Sequence, residues 1–353
     1  MFANLQPGLP EQPSGITLKE IAAAAGVSPS TVARALRNHP RISAETRDAI
    51  KALAKKMGYQ RDSELANLMQ RVRKGKKLAD RPVIALLIWQ TFPVDRVFHR
   101  TDGMFKAMYS RALECGFQPE FFNLTDYDNN RTRLSGVLRA RGIRGAILCP
   151  VQKPAPLPEI PWDELCVVST SYSLFSHRLH RCVPNHYDGM MESIDALRAL
   201  GYQRIGAVFS PAVHMRTHGY FEAAYHVAER HAEQCQFAPL LVADAAGEAT
   251  FRDWLKRWQP EVIITGGSRQ WVTRWLEELK LRVPDDIGVA DLQVGDNDPF
   301  SGLWQNHPEI GARSVDFLVS LLAENEIGLP RTPRVLAIQC EWREGTTTRR
   351  VRG

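Results

Sequence analysis

No stretch of the sequence stays apolar for the roughly 20 residues that a bilayer-spanning helix needs; the longest clear run is Val83 to Trp89. The segment from Met1 to Gly15 carries Pro7, Pro10 and Pro13 and has no basic-then-apolar signal layout, so it reads as a disordered leader on a cytoplasmic protein. Cysteine is sparse and scattered over Cys115, Cys149, Cys166, Cys182, Cys235 and Cys340, without a C-x-x-C pair. Such a distribution argues against a disulfide framework or zinc site and for reduced structural thiols. No G-x-G-x-x-G, Walker A or G-x-S-x-G element occurs. His177 and His180 form an H-x-x-H, and His214 and His218 lie one helical turn apart, but neither pair has a companion acid or cysteine at ligand spacing. The sequon at Asn123 carries no meaning in a cytoplasmic protein. The expectation is a protein that is not an enzyme, with no catalytic residues, metal or cofactor.

What is present is an uneven charge. Residues 1–80 hold 14 Lys/Arg against 7 Asp/Glu, a surplus of +7 in a chain whose total is +6, so the remainder is nearly neutral at −1. A basic head on a neutral body suggests a nucleic-acid partner, although a basic segment can also be a solvated face. The length of 353 residues, with 44% apolar side chains, suits two or three compact units with real cores.

The head has a specific grammar. Thr17 can cap a short helix whose apolar positions Leu18, Ile21 and Ala22 share one face. Gly26 sits where a helix ends in the left-handed conformation. Ser28 then caps a second helix with Pro29 at its first position, where the missing N–H has no partner to lose. A third helix starts at Ser43, buries Ile50, Leu53 and Met57, and stops at Gly58. Ala33 is small where the second helix is expected to pack on the first. Ser30 and Arg34, one turn apart, can point together into a major groove. The alternative is a plain three-helix bundle with a solvated basic face.

From Thr17 to Tyr59 the residues resemble the DNA-binding head of the LacI/GalR (lactose-repressor) family. The shared motifs are Thr-Leu-x-x-Ile-Ala, Ala-Gly-Val-Ser-x-Ser-Thr-Val-x-Arg-x-Leu, Ile42-Ser43-x-x-Thr46-Arg47 and Met57-Gly58-Tyr59. The resemblance implies that Pro29, Ser30 and Arg34 read bases, with Arg41 at a further contact in the loop. It places Thr17, Ser28, Thr31, Ser43 and Thr46 where hydroxyls and helix N-termini hold phosphates. Arg34 suits guanine, which a guanidinium meets bidentately, whereas Pro29 offers only apolar contact. In the hinge that follows, the family's Pro-Asn pair is replaced by Arg61 and Asp62, and Leu68 falls where the family wedges a leucine into the minor groove. An ordinary contact between subunits remains open for Leu65, Leu68 and Met69. The basic run Arg71 to Lys77 is either a linker or an added phosphate grip.

Beyond Val83, short β-branched runs alternate with amphipathic stretches, which argues for parallel sheets with right-handed crossovers. The expected strands are 83–89, 120–124, 145–149, 165–169, 204–210, 240–243, 262–265 and 287–292. The expected helices include 102–115, 188–200, 219–231, 268–280 and 309–323. So many strands call for two lobes, with crossings near Val183–His186, near Val294–Pro299 and again toward the C-terminus. This part resembles the periplasmic-binding-protein-like core of the same family, through Gly142-Ile143-Arg144-Gly145, Leu200-Gly201-Tyr202, Arg216-x-x-Gly219-Tyr220, Val283-Pro284-Asp285-Asp286 and Glu341-x-Arg343-x-Gly345. The resemblance implies an effector between the lobes, gripped by Arg216 and met by Trp89, Gln90 and Phe92. Arg216 could be a surface arginine, and Trp89 could equally belong to the core. Two departures weaken a simple-sugar reading: Gly267-Ser268 replaces a frequent Asn-Asp, and Gln293 stands where the family has an aspartate.

The expected fold is therefore an all-α three-helix helix-turn-helix head plus a hinge helix, followed by an α/β two-lobed core with parallel sheets. Its boundaries are a disordered leader over 1–15, the head over 16–60, hinge and basic linker over 61–81, and the effector-binding and dimerisation domain over 82–353. The expected function is a homodimeric transcription regulator, a repressor in most relatives, on a pseudo-palindromic double-stranded operator, with a sugar, a sugar derivative or another metabolite as effector. The alternatives are a DNA-binding architectural or constitutive regulator whose core only dimerises, and a soluble binding protein or enzyme without DNA.

Overall fold

In the computed structural model the residues described are 18–36, 42–57, 81–89, 103–127, 131–151, 155–156, 160–175, 178–232 and 235–351. The leader, the hinge, the wedge residue Leu68 and the basic run lie outside them, as do Thr17, Arg41, Gln90, Phe92 and His177.

The head is three helices, α1 (Leu18–Ala25), α2 (Pro29–Leu36) and α3 (Ala44–Lys56). Gly26 takes the left-handed conformation at φ 65°. With it, Val27 N–H reaches back to Ala22 O at 3.0 Å and Gly26 N–H to Ala23 O at 3.4 Å, the bonds that close a glycine-stopped helix. Val32 and Ala35, three apart on α2, are fully buried with Ile21, Ala22, Ile50 and Ala54. Ala33 does not pack as expected. It lies one step around the helix from Val32 and is half-exposed, while Leu53 and Met57 are only partly buried.

Among the described residues the body has two large, mostly parallel sheets, with a small pair of Ala155–Pro156 and Leu174–Phe175 beside them. The first runs β11-β5-β4-β3-β1-β2, where β1 is Val83–Ile88, β2 Gln118–Asn123, β3 Gly145–Leu148, β4 Cys166–Ser169, β5 His180–Pro184 and β11 Val335–Ile338. Every pairing in it is parallel. Both faces are covered, which explains the unbroken apolar run of β1: Ile84, Leu86 and Ile88 enter one core while Ala85 and Leu87 enter the core on the opposite face. The second sheet runs β7-β6-β8-β9-β10-β12, with β6 Arg204–Phe209, β7 Leu241–Val242, β8 Val262–Gly266, β9 Gly288–Asp291, β10 Ser301–Trp304 and β12 Glu341–Arg343. Only β12 is antiparallel to its neighbour. The same alternation holds here, with Ile205, Ala207 and Phe209 on one face of β6 and Val208 on the other.

The chain changes lobe between β5 and helix α6 (His186–Ala199), where the sequence places a crossing. The second crossing is a correction. It lies at Gln305–Asn306 rather than Val294–Pro299, because β10 is a further strand of the second sheet before helix α11 (His307–Glu324) returns to the first lobe. The third passes from β11 to β12. Helix α4 (Met104–Glu114) packs against α11 so closely that a Cβ on Gly311 would stand 2.3 Å from Met104 O. The remaining α-helices among the described residues are α5 (Arg131–Ala140), α7 (Pro211–Arg216), α8 (Tyr220–Arg230), α9 (Glu248–Trp258) and α10 (Arg269–Glu278).

Candidate nucleic-acid interface and interlobe cleft

Opposite its buried Val32 and Ala35, helix α2 exposes Pro29, Ser30 and Arg34. Ser30 and Arg34 are four apart and so stand on one stripe. Two helix starts of the head have the same construction. At α2, Thr31 N–H donates to Ser28 Oγ at 3.1 Å, and the Ser28 hydroxyl meets those of Thr31 and Ser30 at 2.8 Å each. At α3, Thr46 N–H donates to Ser43 Oγ at 3.2 Å, and the two hydroxyls are 2.7 Å apart. Each start thus presents hydroxyls beside backbone N–H groups and the positive end of a helix dipole, which suits a phosphate oxygen.

The second candidate is the space between lobes. Both sheets end there at their C-terminal edges, because the chain crosses directly from β5 to α6 and from β10 to α11. Trp89 follows β1 and is half-buried against the first lobe's core. Arg216 ends α7 and is partly buried; burial holds its guanidinium below the ordinary arginine pKa. Gln293, beyond β9, is exposed.

Gly267 and Ser268, the pair that departs from the family, have geometric reasons. Gly267 adopts φ 65°, and a Cβ there would stand 2.7 Å from Ser210 Oγ, so a side chain would be strained and would displace Ser210. Ser268 is fully buried and donates its hydroxyl to Val208 O. It ties the loop to β6.

Residues that the sequence did not single out complete the cleft. Tyr172, in the loop after β4, stands 4.5 Å from the His218 ring and 5.4 Å from Tyr220, so it bridges the lobes. The Arg181 guanidinium lies 5.0 Å over the same tyrosine ring and donates to the carbonyls of Ser171 and Leu174. Burial, with Tyr220 adding to it, pushes the Tyr172 hydroxyl up to about 12. His186 opens α6, packs 4.8 Å from Phe221 and is pushed down to about 3 by burial, with His307, Arg216 and His218 also opposing its protonation. Asp291, at the end of β9, is buried and raised to about 6 by that burial, against the opposing charge of Arg269. Its carboxylate accepts from Thr265 at 2.9 Å and pairs with Arg269 at 3.3 Å. Tyr172, His186, His218 and His307 come from separate segments, and only the crossover topology brings them together.

The histidine pairs of the sequence have ordinary partners where they are described. His180 is buried in β5 and accepts from Arg334 N–H at 3.1 Å, and His214 pairs with Glu222 at 2.5 Å. Among the described residues there is no group of three or more His, Cys, Asp and Glu that could hold a metal.

Residues 17–62 match the lacI family of bacterial regulatory proteins. The chain carries a lacI-family head. Over 45 residues, 13% of this chain and 13% of its relative, it is 51% identical to the HTH-type transcriptional regulator MalR of Staphylococcus xylosus. Beyond the lacI-type head the likeness is one of fold. A solved structure of the transcriptional regulator CelR with cellobiose superposes with a TM-score of 0.54 at 18% identity, covering 94% of this chain and 99% of that one. The lac repressor dimer bound to operator and the anti-inducer ONPF gives 0.54 at 18%, over 95% and 100%. A LacI family regulator of Enterococcus faecium with bound ribose gives 0.50 at 16%, over 76% and 100%. The chain therefore has the architecture of lacI-type regulators, a helix-turn-helix head on a two-lobed periplasmic-binding-like core.

Proposed function

We propose that the protein is a sequence-specific DNA-binding transcription regulator whose operator affinity is set by a small metabolite between the lobes. The observation that carries the reading is the exposed Ser30–Arg34 stripe of α2, in a head that also has two hydroxyl-capped helix starts. In this reading Arg34 reads a base edge, Pro29 and Ser30 make shorter contacts, and Ser28, Thr31, Ser43 and Thr46 hold phosphates. Thr17 and Arg41 add contacts, and Leu68 wedges the minor groove. Two copies face a pseudo-palindromic operator, so protein symmetry is mirrored in the half-sites. The effector meets Arg216 and Tyr172, with Trp89 and Gln293 at the strand ends and Gln90 and Phe92 as further contacts. It stabilises one lobe arrangement by as much as its affinity differs between the two states.

The test is selection of duplexes from a random pool by the full-length protein, followed by titration of Arg34→Ala. We expect the variant to lose about 1–3 kcal/mol on the selected duplex and to tolerate substitution at one base pair per half-site. Equal affinity of the wild-type protein for selected and random duplexes would overturn the reading.

A further inference from the structure

The cleft brings basic groups and aromatic faces together, while among the described residues the acids around it are already engaged. Arg216 makes no ion pair among the described residues, and burial disfavours its charge. His186 is 7% exposed, and its Nδ1 has no hydrogen-bond partner among the described residues. It stands at the first position of α6, and His307 at the first position of α11, so two helix N-termini open at the crossings. The nearby carboxylates are occupied: Asp188 by Asn185 at 2.6 Å, Glu309 by Arg313 at 2.9 Å and Glu222 by His214 at 2.5 Å. Asp298 holds Arg269 at 2.6 Å, beside Asp291. Gly267, Ser268 and Gln293 bring no carboxylate to the strand ends.

A neutral sugar needs acceptors as well as donors, and carboxylates supply acceptors in pairs. A guanidinium supplies donors only. A partly buried cation beside an unsatisfied buried imidazole is an unfavourable arrangement that an incoming anion relieves. We infer that the cleft takes a small metabolite bearing an anionic group, phosphate or carboxylate, which Arg216 and His186 grip while its uncharged part lies against Tyr172 and Tyr220. The inference rests on the cleft being the effector site of the proposed regulator.

Full-length protein is titrated calorimetrically with ribose 5-phosphate, gluconate and ribose at matched ionic strength, and the same samples are scored for affinity to the selected duplex. The expected result is that at least one of the two anions binds about tenfold or more tighter than ribose. The arm that binds tells phosphate from carboxylate. Arg216→Gln and His186→Gln should each abolish the preference, whereas Arg230→Gln, an exposed charge at the far end of α8, should keep it. The inference is overturned if ribose binds as well as the anions, if neither anion binds, or if the preference survives both cleft variants. If ribose binds instead and shifts duplex affinity, the regulatory reading survives and the anionic one fails. If an anion binds and duplex affinity does not move, the reverse holds.

Discussion

At the scale of single residues, burial decides the chemistry of the titratable groups. His180 and His186 are buried in uncharged form, pushed down from 6.5 to about 4 and about 3 by loss of solvent. The unfolded chain takes up protons as pH falls through 6.5 while the native state does not, so stability is full above 6.5 and drains away between there and about 4. Each histidine contributes a slope on the order of 1 kcal/mol per pH unit in that window. His180→Asn keeps an acceptor for Arg334 N–H and removes the proton site. Urea midpoints measured from pH 7 downward should therefore fall less steeply in this variant than in the wild type, and parallel curves would refute the assignment. The cysteines follow the same physics: all six are free thiols, and burial raises Cys166, Cys182 and Cys340 to about 12, as the scattered spacing implies. Polarity at a residue was thus legible in the sequence, but its burial was not.

Among the elements, caps and turns were readable because they are local. Ser28, Ser43 and Gly26 act where the sequence places them, since a cap bonds only to N–H groups within its own first turn. Ser43→Ala should destabilise α3 by about 1 kcal/mol, seen as faster amide exchange in its first turn and weaker duplex binding; unchanged exchange would remove the cap from the account. Packing between distant elements was not readable. Gly311 is an example: on propensity alone Gly→Ala in a helix stabilises by about 1 kcal/mol. Here the added methyl would stand 2.3 Å from Met104 O, so α11 must move off α4. Gly311→Ala should lower the urea midpoint, by about 1–3 kcal/mol. A raised midpoint would show that the helices separate freely. The same distinction explains the missed strands. β5 carries His180 and Arg181 in a fully buried position, and β11 is largely exposed, so neither shows the apolar pattern of a sheet interior.

For the whole molecule, the charge distribution sets how DNA is first met. Neutralised phosphates release counterions, so the logarithm of affinity should fall linearly with that of salt, by about 0.9 per contact. The +7 surplus in residues 1–80 on a nearly neutral remainder predicts a steep slope for random duplexes, measured by fluorescence anisotropy over a salt series. A flat line would mean that the basic head does not touch the backbone. By itself the sequence determined the helix-turn-helix, its caps, the alternation of strands and helices and the charge asymmetry, because each depends on neighbours within a turn or a strand. Only the tertiary structure decided where the chain changes lobes, which face of β1 meets which core, and that Tyr172, His186, Arg216 and His218 share one cleft. Those residues come from segments joined by crossovers, and no local pattern encodes which strand ends will face each other once two sheets have closed.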